Sequence, residues 1–147
     1  MSDIHIDDFY KDAAKILVQL YRLFPRKDLL LIEDISGPDT PDEYGLHSTR
    51  HQACFGAALW LAESGYLSYG DTIRQEGMDQ VILTHKAFTV LSSPATALVA
   101  DVETDLPASV SEIQQTNIHQ LREALRAECS RQIRLAMHNV MVQSRDH

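Results

Sequence analysis

Apolar residues in the first part of the chain recur at steps of three and four positions, which is the period of an α-helix. They are Ile6, Phe9, Ala13, Ile16, Leu17, Leu20 and Phe24. Pro25 follows, and proline is not tolerated in a helix interior. The pattern therefore predicts an amphipathic helix over residues 6–24.

Two short elements are predicted next. The apolar run over residues 28–36 is closed by a Gly-Pro pair and fits a strand, although its periodicity leaves a helical turn open. The segment after it has the composition of a helix start, with Thr40 as N-cap, Pro41 in the first turn and Glu43 as capping-box partner. We expect a short second helix there.

A third, longer helix is predicted to begin after Ser48, which can act as its N-cap, and to end before Gly65. Apolar side chains crowd much of its circumference, so most of it should be buried. Two β-favouring runs follow on either side of a glycine-containing turn at residues 75–79 and predict a β-hairpin. Thr84 can then cap a last helical turn over residues 85–91.

The rest of the chain divides into a linker over residues 94–108 and a C-terminal helix of about 30 residues within 109–147, leaving a domain over residues 1–93. The helix carries one apolar stripe. Its members are Ile118, Leu121, Leu125, Cys129, Ile133, Ala136 and Val140. We expect this stripe to pair with a second copy and form a homodimer. The alternatives are packing onto its own domain and docking of a different protein.

Composition limits the function classes. The chain has 147 residues, 44% of them hydrophobic, which suits one globular domain with extra elements. Thirteen basic against 21 acidic residues give a net charge of -8, which opposes binding to nucleic acid or anionic lipid without a local basic patch. The two cysteines are far apart, and no signal peptide or membrane span is visible. We expect a cytoplasmic protein with no membrane partner.

The sequence WLAESGYL at residues 60–67, a β-wing at 68–80 and VILTHKA at 81–87 resemble the second half of a winged helix-turn-helix domain. The resemblance covers about residues 6–91, and the predicted order of elements agrees with it. It implies a mainly α fold with a small β-wing, extended here by the long C-terminal helix. It also implies that Gly65 makes a left-handed turn and that Trp60 and Leu61 anchor the third helix beneath the wing.

The resemblance implies a DNA-binding transcriptional regulator acting as a homodimer. In DNA-reading members of the superfamily, the start of the third helix enters the major groove and the wing contacts the backbone. The corresponding residues here are Ser48, Thr49, Arg50, His51, Gln52, Arg74 and Gln75. Thr49, Arg50 and Gln52 would read bases. Winged helices also serve in protein–protein contacts, and Asp71, Glu76 and Asp79 on the wing favour an acidic interaction module without nucleic-acid binding as the alternative.

Three potential metal ligands, His47, His51 and Cys54, fall at positions i, i+4 and i+7. If Ser48 does not break the helix between them, they lie on one helical face and can present three ligands to zinc. No fourth ligand is spaced nearby, and a chain with seven histidines often aligns some by chance. We therefore predict no metal site and no cofactor.

The acidic residues do not form a catalytic pattern. Asp7, Asp8 and Asp12 lie at the front of the first helix, where the helix dipole favours carboxylates. Glu33 and Asp34 have no acid, base or nucleophile at a telling spacing. We therefore expect that the protein is not an enzyme.

Overall fold

The computed structural model describes residues 4–95 and 116–145. Within them the fold is mainly α-helical, with one small antiparallel sheet of short strands. The elements in chain order are α1 (Ile4–Leu23), β1 (Asp28–Leu31), α2 (Glu33–Ser36), α3 (Thr49–Glu63), β2 (Leu67–Ser68), β3 (Thr72–Ile73), β4 (Gly77–Leu83), α4 (His85–Ser92), α5 (Asn117–Ala127) and α6 (Ser130–Ser144). The predicted class, mainly α with a small β component, is confirmed at this level.

Helix α1 is the centre of the core. It follows the predicted bounds closely and buries one face. The buried apolar residues of that face are Ala13, Ala14, Ile16, Leu17 and Leu20. Full burial of each large aliphatic side chain contributes about 1.5–3 kcal/mol. Helices α3, α5 and α6 and strand β4 all pack against α1, so the amphipathic pattern of this one helix organises the described residues.

Strand β4 is the central strand of the sheet. It pairs antiparallel with β1 on one side and with β2 and β3 of the predicted hairpin on the other. Gly65 takes a positive φ of 85° where the chain leaves α3, as expected. Gly77 permits the close approach of β1, because a Cβ there would lie 2.3 Å from the Leu30 carbonyl oxygen.

The segment between β1 and α3 departs from expectation. A strand is one interpretation of residues 28–36, but β1 ends at Leu31 and residues 33–36 form the single helical turn α2. The short helix expected after Thr40 is wrong. The Asp42 carboxylate instead accepts hydrogen bonds from the backbone N–H groups of Tyr44 and Leu46, at 2.9 and 3.0 Å. Such local side-chain bonds compete with helix formation and leave a loop.

The prediction of one long C-terminal helix is also wrong, because two helices occupy its place. Glu128 takes a left-handed conformation with φ of 53° and ends α5, and α6 begins after Cys129. The two helices pack against each other and onto α1 and α4. Neither glycine nor proline stands at the break, so the sequence contains no signal for it.

The apolar stripe that predicted dimerisation is largely covered by the protein's own core. Ile118, Leu121, Ile133, Ala136 and Val140 all belong to the same buried cluster as α1. This removes the ground on which the homodimer was expected. The predicted linker lies almost entirely outside the described residues.

The C-terminal helices are further fixed by buried polar contacts. The Asn117 side-chain amide donates to the Val90 carbonyl at 2.8 Å, and the Asn139 amide donates to the Asn117 side-chain oxygen at 2.9 Å. Pro94 and Thr116 form an antiparallel bridge, so the two described ranges meet side by side. The hairpin of α5 and α6 is therefore part of the main core.

Trp60 and Leu61, the two residues expected to anchor α3 beneath the wing, differ in burial. The Trp60 side chain stays 39% exposed and contacts Phe9 edge-on at a centroid distance of 5.2 Å, whereas Leu61 is fully buried. Leu61 is thus the residue that fixes the C-terminal part of α3 to the core.

Candidate functional site at the start of helix α3

The start of α3 is held by a cap and by the preceding loop. The Ser48 hydroxyl accepts from the His51 backbone N–H at 3.2 Å, as its N-cap role predicts. Asp39, in the loop before α3, accepts from the Ser48 backbone N–H at 3.1 Å. A carboxylate at this position also suits the positive end of the helix dipole.

His47 lies between two carboxylates. Its Nδ1 is 2.8 Å from Asp39 Oδ2, and its Nε2 is 2.8 Å from Glu76 Oε1. Hydrogen bonds to Asp39 and Glu76 raise the pKa of His47 above its ordinary value. Hydrogen bonds from Ser48 and His47 lower the pKa of Asp39 to about 2. The Asp39 carboxylate is therefore ionised at neutral pH.

His51 lies directly beside His47 in the first turn of α3. The two rings stack with centroids 3.8 Å apart and planes inclined by 12°. Nε2 of His51 is 2.7 Å from the Gln75 carbonyl oxygen, which can only accept, so Nε2 carries the proton and Nδ1 of the neutral ring holds a lone pair. That Nδ1 is buried and has no hydrogen-bond partner within the described parts of the chain. An unsatisfied buried polar atom costs about 1–3 kcal/mol.

Arg50 points into the protein. Its Nη1 and Nη2 donate to the two oxygens of Asp12 at 2.6 and 2.5 Å, and the Asp12 side chain is only 1% exposed. Asp8 lies 4.0 Å from the same guanidinium. The hydrogen bond to Asp12 raises the pKa of Arg50 further above its ordinary value. This bidentate contact joins α3 to α1.

The predicted DNA-contacting residues are only partly brought to one surface. Thr49 and Gln52 are exposed on α3, and Arg74 and Gln75 are exposed at the turn of the hairpin. The Gln52 amide also donates to the His47 carbonyl at 2.8 Å. The other members of the predicted set are engaged by the protein itself: exposed Ser48 caps α3, half-buried Arg50 binds Asp12, and His51 is buried.

The three potential metal ligands noted in the sequence are divided. His47 and His51 do come together, but Cys54 lies in the apolar core, where burial raises its pKa to about 12. The third potential ligand beside the histidines is Asp39. The sequence gives no sign that Asp39 and Glu76 belong to this site, because they lie 8 and 29 positions from His47. Their closeness to His47 depends on how the loop and the hairpin turn pack.

A shallow cavity adjoins this site. It has a volume of about 240 Å³ and lies between α3 and the turn of the hairpin. Its lining residues are Gln52, Phe55, Gly56, Leu59 and Gln75. Apolar side chains with polar groups at the margin are typical of a surface that accepts an apolar side chain of a partner.

In comparisons with known proteins, no family model, no curated protein and no solved structure matches this chain. Across residues 4–95 and 116–145, none of the helices combines the length and the apolar content that a bilayer crossing requires. The functional conclusions therefore depend on the contacts of the chain's own residues.

Proposed function

We propose that residues 4–91 form a winged helix-turn-helix domain and that this domain is a cytoplasmic protein–protein interaction module that does not bind nucleic acid. The order of elements supports the fold: helix, strand, short helix, long helix and hairpin. The sheet supports it too, since β4 returns from the hairpin to lie between β1 and β2. The superfamily contains both DNA-binding and protein-binding domains, so the function has to be argued from the residues at the start of α3 and not from the fold.

The ion pair between Arg50 and Asp12 carries the proposal. Arg50 is the only Lys or Arg in α3, and both of its terminal nitrogens are bound by a buried carboxylate. A guanidinium held in this way cannot also make a bidentate contact to guanine. The helix that a DNA reader inserts into the major groove therefore presents no free basic side chain.

The exposed surface of α3 is uncharged except for Glu63 at its far end. Its exposed residues are Thr49, Gln52, Ala53, Gly56, Trp60 and Glu63 at the far end. Small side chains at its centre open the cavity beside Phe55 and Leu59. Trp60, 39% exposed, is the type of side chain that is enriched at the energetic centres of protein interfaces.

The surroundings of α3 are acidic. Asp42 and Glu43 are exposed in the preceding loop, and Asp71, Glu76 and Asp79 lie on the hairpin. Carboxylates beside a DNA-reading helix would repel the phosphate backbone. The net charge of -8 acts in the same direction.

A homodimeric DNA-binding regulator is the second candidate function. One observation favours it: Thr49, Gln52 and Arg74 are exposed, and Gln52 lines the same cavity as Gln75, the neighbour of Arg74 at the hairpin turn. In a winged-helix reader these two segments meet DNA. In this role Thr49 and Gln52 would contact bases and Arg74 the phosphate backbone. The two candidate functions predict opposite effects of a positive charge placed on α3: it should weaken binding of a protein partner but strengthen binding to DNA.

Gly56→Arg tests the proposal. A Cβ at Gly56 would meet no atom within 4 Å, so the substitution is sterically tolerated, and it puts a cation at the edge of the cavity. Affinity purification of the full chain from its host cells should recover a stoichiometric protein partner that Gly56→Arg loses. Ala127→Arg, at an exposed position of α5, is the matched control and should keep the partner.

Fluorescence anisotropy with labelled genomic fragments, at low and at moderate salt, provides the second readout. The interaction module should leave the fragments free at both salt concentrations. Binding of particular fragments that survives moderate salt, and that Gly56→Arg strengthens, would contradict the proposal and favour the DNA-binding regulator.

A further inference from the structure

We propose that Asp39, His47 and His51 form a binding site for Zn²⁺ or a similar divalent transition-metal ion. One ligand atom of each residue lies within 4.8 Å of the other two. Asp39 is in the loop before α3, His47 directly precedes the cap, and His51 is in the first turn of α3. This inference is independent of the proposed function, because it depends only on the chemistry of these side chains.

The free lone pair of His51 is the first reason. Nδ1 of this ring is buried, its residue is 1% exposed, and no group in the described residues bonds to it. Burying such an atom without a partner is costly, and a metal ion is one partner that a neutral imidazole nitrogen accepts directly. The His51 ring stacks on His47, whose Nδ1 is 2.8 Å from Asp39. The unpartnered nitrogen of His51 therefore belongs to the same cluster of side chains.

The surroundings of the two histidines are the second reason. Histidines that bind metals almost always donate their other ring N–H to a carboxylate or a backbone carbonyl. Here Nε2 of His47 is held by the Glu76 carboxylate at 2.8 Å, and Nε2 of His51 is held by the Gln75 carbonyl at 2.7 Å. Both rings are thereby oriented from the hairpin turn. Nδ1 of His51 has no partner in the described residues, and Nδ1 of His47 would exchange its contact with Asp39 for the ion.

The dimensions and charges fit a small divalent ion. Bonds of about 2.0–2.1 Å place two ligand atoms about 3.4 Å apart in a tetrahedral site, and the three ligand atoms lie within 4.8 Å of one another. Binding would also require the stacked imidazole rings to rotate out of their nearly parallel arrangement, because the lone pair of each ring lies in its plane. The carboxylates of Asp39 and Glu76 balance the two positive charges. Two imidazoles and one carboxylate suit Zn²⁺, Ni²⁺ or Cu²⁺, whereas Mg²⁺ and Ca²⁺ prefer oxygen ligands.

A bound ion would connect the loop before α3 to the first turn of that helix. Through Glu76 and Gln75 it would also fix the hairpin turn. These three segments surround the end of α3 at which Gln52 and Gln75 line the cavity. The metal would therefore hold the shape of this surface.

Isothermal titration calorimetry tests the site. The full chain without a polyhistidine tag is freed of metal with a chelator and titrated with Zn²⁺. We expect one ion per chain with a micromolar or tighter Kd, and no binding of Mg²⁺. Asp39→Asn and His51→Gln should each weaken binding by at least about tenfold, and Glu76→Gln by about tenfold. His138→Gln, at an exposed position of α6, is the matched control and should leave the Kd unchanged.

The absorption spectrum of the Co²⁺-loaded protein distinguishes this ligand set from one that includes Cys54. The proposed set contains no sulfur, so the spectrum should lack a thiolate charge-transfer band and should not change in Cys54→Ser. Absence of Zn²⁺, Ni²⁺ and Co²⁺ binding would overturn the proposal, as would a Kd unaffected by Asp39→Asn. Asp39 lies in a surface loop, so this variant decides the matter even where circular dichroism shows that His51→Gln does not fold.

Discussion

Arg50→Ala should destabilise the protein because it leaves the Asp12 carboxylate buried without its partner. Asp12 is 1% exposed and receives both terminal nitrogens of Arg50 at 2.6 and 2.5 Å. Removing one member of a fully buried ion pair costs about 3–5 kcal/mol. The Arg50 side chain is 35% exposed, so water reaches part of the pair, and we expect a loss of about 2–4 kcal/mol.

Urea denaturation followed by circular dichroism measures this loss, and a double-mutant cycle with Asp12→Ala isolates the pair. The double variant should be less destabilised than the sum of the single variants by about 1–3 kcal/mol, because it buries no unpaired charge. Arg126→Ala provides the control, since Arg126 forms an exposed ion pair with Glu123 on α5. Its free energy of unfolding should change by no more than about 0.5 kcal/mol.

Two results would refute this reasoning. One is an Arg50→Ala variant as stable as Arg126→Ala, which would mean that the guanidinium does not hold the buried carboxylate. The other is loss of sequence-specific DNA binding in Arg50→Ala at full stability, which would make Arg50 a DNA-contacting residue. Either result would also remove the observation that carries the proposed function.

Further predictions follow from the buried residues. Leu121→Ala should cost about 2–5 kcal/mol in urea denaturation, and the half-exposed Leu135→Ala less than about 0.5 kcal/mol; equal losses would contradict the packing of α5 onto α1. Leu61→Ala should destabilise more than Trp60→Ala in the same assay, because only Leu61 is fully buried. Cys54, with its pKa raised to about 12, should resist iodoacetamide at mildly alkaline pH until the protein is denatured. Mass spectrometry that finds Cys54 alkylated in the native sample would contradict this. The same raised pKa favours the protonated folded form, so the contribution of Cys54 to stability should be lost as the pH rises towards 12.

The predicted elements that the structure confirms have local causes. Ser48 and Thr84 cap their helices through hydrogen bonds to backbone N–H groups three residues on. Gly65 ends α3 in the left-handed conformation that its lack of a Cβ permits. Each of these interactions involves residues close together in the chain, so the sequence reveals them.

The errors arose where distant segments compete with local signals. The apolar stripe from Ile118 to Val140 predicts one helix, yet the chain turns at Glu128 and both halves cover α1. Folding back buries the stripe within one chain, whereas a straight helix would leave much of it in water. Periodicity shows which residues are apolar but not which surface will cover them.

The candidate site shows the same division. The sequence by itself determined that His47 and His51 stand on either side of the start of α3 and that this start carries Ser48 as its cap. Only the tertiary structure decided that Asp39 and Glu76 enclose His47 and that Asp12 binds Arg50, across 38 positions of sequence. The physical reason is that capping and helical periodicity act over a few neighbouring residues. The pairing of charges and imidazoles depends instead on which remote segments the hydrophobic core brings together.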